Sequence, residues 1–338
     1  MKIVKYALAV IVSLIVLLGV IGLALPDRAH VERSVHINAH PSTVYTVLNS
    51  FRLFNEWSPW HERDSNTDYT YTGPDTGVGA KMSWKSDQRD VGSGSQEIIE
   101  SEPYSHIKTL LDFGTQGNAN ASFSIEPSGQ ASTLTWTLDT EFGGNLLERY
   151  FGLFLDKWVG GDYEKGLAKL KTLVEALPAA DFSDADLQIL EIDPVPIAYA
   201  SGSTSDNPTA IAAALAVAYV EVAAFMEVND LTRGGPPLAV ERGRESGSYQ
   251  FDAAIPLAAE AAGSADGKVL LGTTYGGKVA QGTHTGPYRT LSITHEKVTA
   301  FVAASGLEGN GDPWNEFTSD PGTTAAENLV THVYYPVR

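Results

Sequence analysis

The sequence predicts an α+β protein, with an N-terminal transmembrane helix ahead of two folded domains. Three observations predict it. Residues Ala7 to Leu25 form an apolar run without a charge. From Val31 to Phe142, short segments alternate apolar and polar residues between Gly, Pro, Asn and Ser, and one long amphipathic segment closes the series. From Leu187 onward, a strand–helix–strand–strand pattern occurs twice.

The apolar run follows Met1, Lys2 and Lys5 and ends at Pro26-Asp27-Arg28. It matches the roughly 20 residues a helix needs to cross hydrocarbon. Lysines precede it and mixed charges follow, so the positive-inside rule keeps the N-terminus in the cytoplasm. The expectation is a single-pass protein of the cytoplasmic (inner) membrane with both domains outside, on the periplasmic side. A cleaved signal peptide competes, but its apolar region spans only about 7–15 residues. Gly22-Leu23-Ala24-Leu25-Pro26 is also a poor cleavage site. A buried core helix is the third possibility.

The chain has no cysteine, which excludes a lipidated-cysteine anchor, disulfides and thiolate metal sites. Its net charge of −18 argues against a nucleic-acid partner. The same acidity repels anionic lipid, so membrane attachment falls to the helix.

The anchor covers residues 1–28, the first domain 29–178 and the second 185–338. The boundary falls in Leu177–Asp184, rich in Ala, Asp and Pro. The first domain opens with a strand over Val31–Ile37. His40-Pro41-Ser42-Thr43 starts a helix, with Pro at the turn and hydroxyls for capping. Leu53–Trp60 closes this helical pair. Strands are expected over Tyr69–Thr72, Ala80–Ser86, Ser93–Ser101, His106–Phe113, Ala121–Ile125 and Thr133–Phe142. A long helix over Leu146–Leu177 carries Leu153, Phe154, Trp158, Leu167, Leu170 and Val174 as its apolar stripe.

This order resembles the SRPBCC superfamily (START-like, polyketide-cyclase-like) and its helix-grip fold. The carrying residues are Val31–Ile37 with His40–Tyr45, then Phe54–Trp60, Gly92–Ile98 and the long helix. The resemblance implies a sheet wrapped around that helix with an apolar cavity between them, and a lipid or other hydrophobic small molecule as ligand. Trp57, Trp84 and Trp136 are the candidate wall residues, with Trp60 and Trp158 beside them.

In the second domain, Leu187–Ser203 is strand-like, Pro208–Glu227 helical, and Pro237–Arg242 and Ser248–Ile255 strands. After the connector Ala258–Gly267 the pattern returns. Leu270–Thr285 is strand-like, Tyr288–Ser305 helical, and Trp314–Thr318 and Asn328–Val337 strands. Gly276–Ala280 running into His284–Tyr288, Asp312–Phe317, Ser319–Pro321 and Thr331–Val337 resemble the GyrI-like, effector-binding domain of bacterial transcription activators. The resemblance implies two modules around an aromatic-lined cleft, with glutamates that meet cationic ligands or serve acid–base chemistry.

The positions that match those glutamates are Asn315 and His332. Alternation turns Glu316 to the face opposite Asn315 unless the register slips by one, in which case Glu316 takes the family position. Trp314, Asn315, Glu316, Phe317, His332 and Tyr334 are the ligand-binding candidates of this cleft. An uncharged Asn315 beside Tyr334 and Phe317 predicts a neutral aromatic ligand. His284 reads as a turn residue.

No nucleophile elbow and no metal-ligand spacing is present in the sequence. No catalytic residue, metal or cofactor is assigned. The expectation is a membrane-anchored small-molecule-binding protein, acting as sensor, carrier or sequestering protein, whose partner is a hydrophobic or aromatic small molecule. The alternative is a hydrolase acting on a reactive small molecule in the second cleft.

Overall fold

The computed structural model describes residues 2–258 and 267–338. They fall into two compact units, Met1–Ala179 and Ala180–Arg338. Most of the Ala258–Gly267 connector lies outside the described residues.

The first unit begins with α1 (Lys2–Ala24). By length and composition this helix can cross a membrane, and its apolar side chains are almost all exposed, so it is no core helix. A sheet of seven antiparallel strands follows: β1 (Arg28–Ile37), β2 (Asp68–Thr72), β3 (Lys81–Lys85), β4 (Ser93–Glu102), β5 (His106–Asp112), β6 (Asn118–Ser128) and β7 (Ala131–Glu141). The spatial order β1-β7-β6-β5-β4-β3-β2 is a meander with the first strand returned to the β7 edge. Two short helices, α2 (Pro41–Leu48) and α3 (Phe54–Trp57), join β1 to β2. Pro41 sits in the first turn of α2, where its missing N–H costs nothing.

Helix α4 (Leu146–Glu175) closes the unit. Asn145 caps it, accepting from the backbone N–H groups of Leu147 and Glu148, while its amide donates to the Glu148 carboxylate. Every buried residue of α4 lies at or after Gly160, so only its C-terminal half packs into the sheet. Leu153, Phe154 and Trp158, expected on the apolar stripe facing the core, are instead exposed.

The second unit is one eight-stranded sheet with the order β12-β9-β11-β10-β14-β15-β13-β8. Its first half comprises β8 (Leu187–Ile192), β9 (Pro196–Ser205), α5 (Pro208–Val228), β10 (Leu238–Glu245) and β11 (Ser248–Pro256). The second comprises β12 (Val269–Thr273), β13 (Gly277–Thr285), α6 (Leu291–Ala304), β14 (Trp314–Phe317) and β15 (Val330–Pro336). Each expected leading strand is thus two. Asp193-Pro194-Val195 interrupts the first, where proline has no ladder donor. Gly277, at φ 133°, opens β13 after the second break.

The leading strands are exchanged: β8 pairs with β13 of the other half, and β12 with β9. The halves meet at the centre through β10 and β14. Helix α5 is also apolar enough to cross a membrane, but Leu215, Ala218, Val222 and Met226 bury it against the sheet. Within the stretch expected as a linker, Phe182 is buried edge-on against Phe301 of α6, so the chain joins the second core before β8 begins.

Candidate functional site

In the first unit, the inward register of β3 to β7 and the middle of α4 line a cavity of about 300 Å³. Its wall is mainly apolar: Phe54, Trp60, Met82, Trp84, Leu111, Phe123, Trp136, Leu138, Val159 and Tyr163. The exposed Arg89 and Asp90 of the β3–β4 connection also line it. Trp136 on β7 organises the wall. Tyr163 of α4 stacks on it with ring centroids 3.6 Å apart, and Phe123 stacks at 5.2 Å. Trp57 and Trp60 meet it edge-on at 5.4 Å and 6.0 Å. Gly166 permits this approach, since a Cβ there would lie 3.0 Å from the Trp136 ring. Burial pushes the Tyr163 hydroxyl above the usual phenol range.

Of the expected wall residues, Trp84 and Trp136 line the cavity, as does Trp60. Trp57 does not. It is buried behind the wall, edge-on to Phe54, Phe123 and Trp136, because the short α3 turns it into the core. Trp158 does not either, and is exposed on α4. Polar wall residues were missed, among them Gln96 and Thr109 on the strands, both buried. Their signal was a polar side chain in the inward register of apolar strands. The Gln96 amide nitrogen and the Trp136 indole nitrogen are buried donors without a partner among the described residues.

In the second unit, α5 and α6 cover one face of the sheet, and alternation sorts the candidates between the two faces. Trp314 pairs with Tyr334 and Glu316 with His332 across β14 and β15, so these four share the face without helices. Trp314 and Tyr334 stack at 4.8 Å, and Tyr275 stands at 6.3 Å from Trp314. One Glu316 carboxylate oxygen accepts from the Tyr334 hydroxyl at 3.1 Å and meets His332 Nδ1 at 3.1 Å. The Gln281 amide donates to Tyr334 at 3.1 Å, and Gln188 of the exchanged strand donates to Gln281 at 2.6 Å. Burial and the Glu316 carboxylate hold the Tyr334 hydroxyl above its ordinary range, so it stays a donor.

Asn315 and Phe317 lie on the other face. Asn315 pairs with Val333, and its carbonyl oxygen meets His295 Nε2 of α6 at 2.9 Å. Phe317 packs against the α5 core and Tyr288. The expectation that Asn315 stands beside Tyr334 in the cleft is therefore corrected. The β14–β15 register makes Glu316 the neighbour of His332 and Tyr334. Burial pushes the His295 imidazole below its ordinary value. His284, expected as a turn residue, instead lies near the end of β13, buried and bonded to Thr294 of α6 at 2.9 Å. Gln281 and Gln188 were not foreseen, because the strand exchange that brings them together is invisible along the chain.

Residues 28–175 match the family described as polyketide cyclase, dehydrase and lipid transport, and residues 185–338 match the GyrI-like small molecule binding domain. The chain is a helix-grip domain of the first family joined to a GyrI-like domain. Both families bind small molecules. Among solved structures, the EcmrR C-terminal domain is similar at 15% identity, covering 46% of this chain and 98% of its own, with a TM-score of 0.38. A hydrolase from Listeria innocua is similar at 15% identity, covering 45% and 91%, with a TM-score of 0.35. The Aha1 dimer from Colwellia psychrerythraea is similar at 15% identity, covering 44% and 97%, with a TM-score of 0.31. No curated protein matches the chain.

Proposed function

We propose that the protein is a small-molecule-binding protein held in the cytoplasmic membrane by α1, with its N-terminus inside and both domains outside. The helix-grip domain takes a hydrophobic molecule that carries one hydrogen-bond acceptor. The observation that carries this is the apolar cavity with two unpartnered donors, Gln96 and Trp136, in its wall. An apolar body gains from burial, and an acceptor relieves a donor whose isolation costs about 1–3 kcal/mol. The GyrI-like domain offers aromatic rings around the Glu316 carboxylate, which suits a protonated or cationic aromatic molecule rather than the neutral one expected from Asn315.

Native mass spectrometry of the full chain, released from detergent, tests the first site, with Nile red fluorescence as the solution probe. A retained apolar mass, and dye binding lost in Leu111→Trp, which fills the cavity, are the expected results. A well-folded protein that binds neither would overturn the reading.

A hydrolase acting at the GyrI-like face is the second reading. It is favoured by the contact between Glu316 and His332, a carboxylate and an imidazole within proton-transfer distance. Turnover of a reactive ester that Glu316→Gln abolishes would establish it.

A further inference from the structure

The N-terminal half of α4 has no core to face. Leu147, Phe151, Phe154 and Trp158 are more than half exposed. At 3.6 residues per turn their spacings of four, three and four place them in one stripe over three turns. Phe154 and Trp158 stack on each other at 5.6 Å. A run of exposed aromatic side chains is a costly surface for water and marks a contact face.

What covers it follows from α1. The flank of the same half-helix packs on α1: the Tyr150 hydroxyl donates to the Leu18 carbonyl at 2.6 Å, and the Arg149 guanidinium donates to the Leu25 carbonyl at 3.2 Å. A Cβ at Gly22 would lie 3.2 Å from both Leu146 and Tyr150, so the contact is close. Leu18 lies seven residues before Leu25, which is about 10 Å along a helix. The first turns of α4 therefore run beside the last two turns of α1. If α1 spans the bilayer, these turns lie at the depth of the lipid interface, and their free stripe meets lipid.

We propose that α4 from Leu147 to Trp158 is an interfacial membrane-docking surface, seated in the outer leaflet beside α1. This rests on the anchor reading of α1. The chemistry fits a phospholipid surface entered by apolar burial. Trp, Tyr and Arg belong at such interfaces. The chain's charge of −18 gives no electrostatic attraction to anionic head groups. The cavity wall begins at Val159, next to Trp158, so docking sets the helix-grip cavity within a turn of the bilayer surface.

The chain has no cysteine, so single labelled cysteines report single positions. Val12→Cys, Phe154→Cys and Thr172→Cys, each in the full chain, carry an environment-sensitive fluorophore. The proteins are reconstituted into phosphatidylcholine vesicles with and without spin-labelled lipid. Quenching at positions 12 and 154 but not at 172, unchanged at high salt, is the expected result. Quenching at 12 with position 154 as unquenched as 172 leaves the anchor standing and overturns the docking surface. No quenching at 12 overturns the anchor reading and the docking surface with it. Quenching at 154 that vanishes at high salt overturns the apolar mode of docking.

Discussion

In the helix-grip domain, two buried donors of the cavity wall have no partner among the described residues. They are the Gln96 amide and the Trp136 indole. On the GyrI-like sheet, the polar groups are already joined, from Gln188 through Gln281 and Tyr334 to Glu316 and His332. The difference teaches how each site can select. On the proposed reading, the first would gain most from an apolar molecule that brings an acceptor to these donors. In the second, Tyr334 and His332 hold the Glu316 carboxylate in place, and on the proposed reading it would select by charge.

Removing the hub of the first domain gives the largest expected effect. Trp136→Ala should cost about 3–5 kcal/mol, as core Trp truncations do. Urea unfolding should show the helix-grip transition falling while the GyrI-like transition keeps its midpoint. Equal loss in both would mean that the two domains unfold as one unit, and the contrast between them would have no energetic meaning.

Next is the charge of the second domain. Glu316→Gln should weaken binding of a cation that can donate to the carboxylate, such as a protonated aromatic amine, by about 1.5–3 kcal/mol, the range for hydrogen bonds to charged groups. Calorimetry measures it, and Nile red binding to the helix-grip cavity should not change. A cation affinity indifferent to Glu316 would remove the charge-selection half of the comparison.

A smaller effect of opposite sign is expected at Gln96. Gln96→Met removes an unpaired buried amide and should raise the stability of the helix-grip domain by about 1 kcal/mol. It should also weaken ligands that bear a carbonyl relative to plain hydrocarbons. Lower stability in Gln96→Met would show that the amide has a partner in solution.

The smallest effect is the response to pH. Burial lowers the His295 imidazole, so the folded GyrI-like domain prefers it neutral. Its contribution is present above the ordinary value near 6.5 and is lost as pH falls through the folded value. In the helix-grip domain, the hydrogen bond to Asp139 raises His30, with a smaller opposing effect of burial. That contribution is present below about 6.5 and is lost as pH rises through the folded value. It is slight, because His30 is half exposed. Acidification toward pH 5 should therefore lower the GyrI-like transition and spare the other, and His295→Gln should flatten the response.

The membrane-length run, the closing helix and the duplicated pattern were legible along the chain, because each is a local periodicity. Hydrophobic spacing set the ends of α4 within two residues. What the spacing could not say was which half of α4 packs. Leu153, Phe154 and Trp158 are as apolar as Leu167 and Leu170, and only the reach of the sheet separates them.

The site followed the same division. Trp314, Asn315, Glu316, Phe317, His332 and Tyr334 were identified from two strand segments, but their faces depend on how β14 pairs with β15. A slip of one residue would exchange Glu316 for Asn315, and local composition is nearly indifferent to that choice. The register is held by the stacking of Trp314 on Tyr334 on one side and by Asn315 with His295 on the other, contacts between segments about 20 residues apart. The sequence by itself therefore determined the helices, the order of helical and strand segments and the residue types available for binding. Tertiary structure alone decided which of them share a face. The physical reason is that side-chain direction in a sheet is fixed by its partner strand, and partners such as Gln188 and Gln281 lie far apart along the chain.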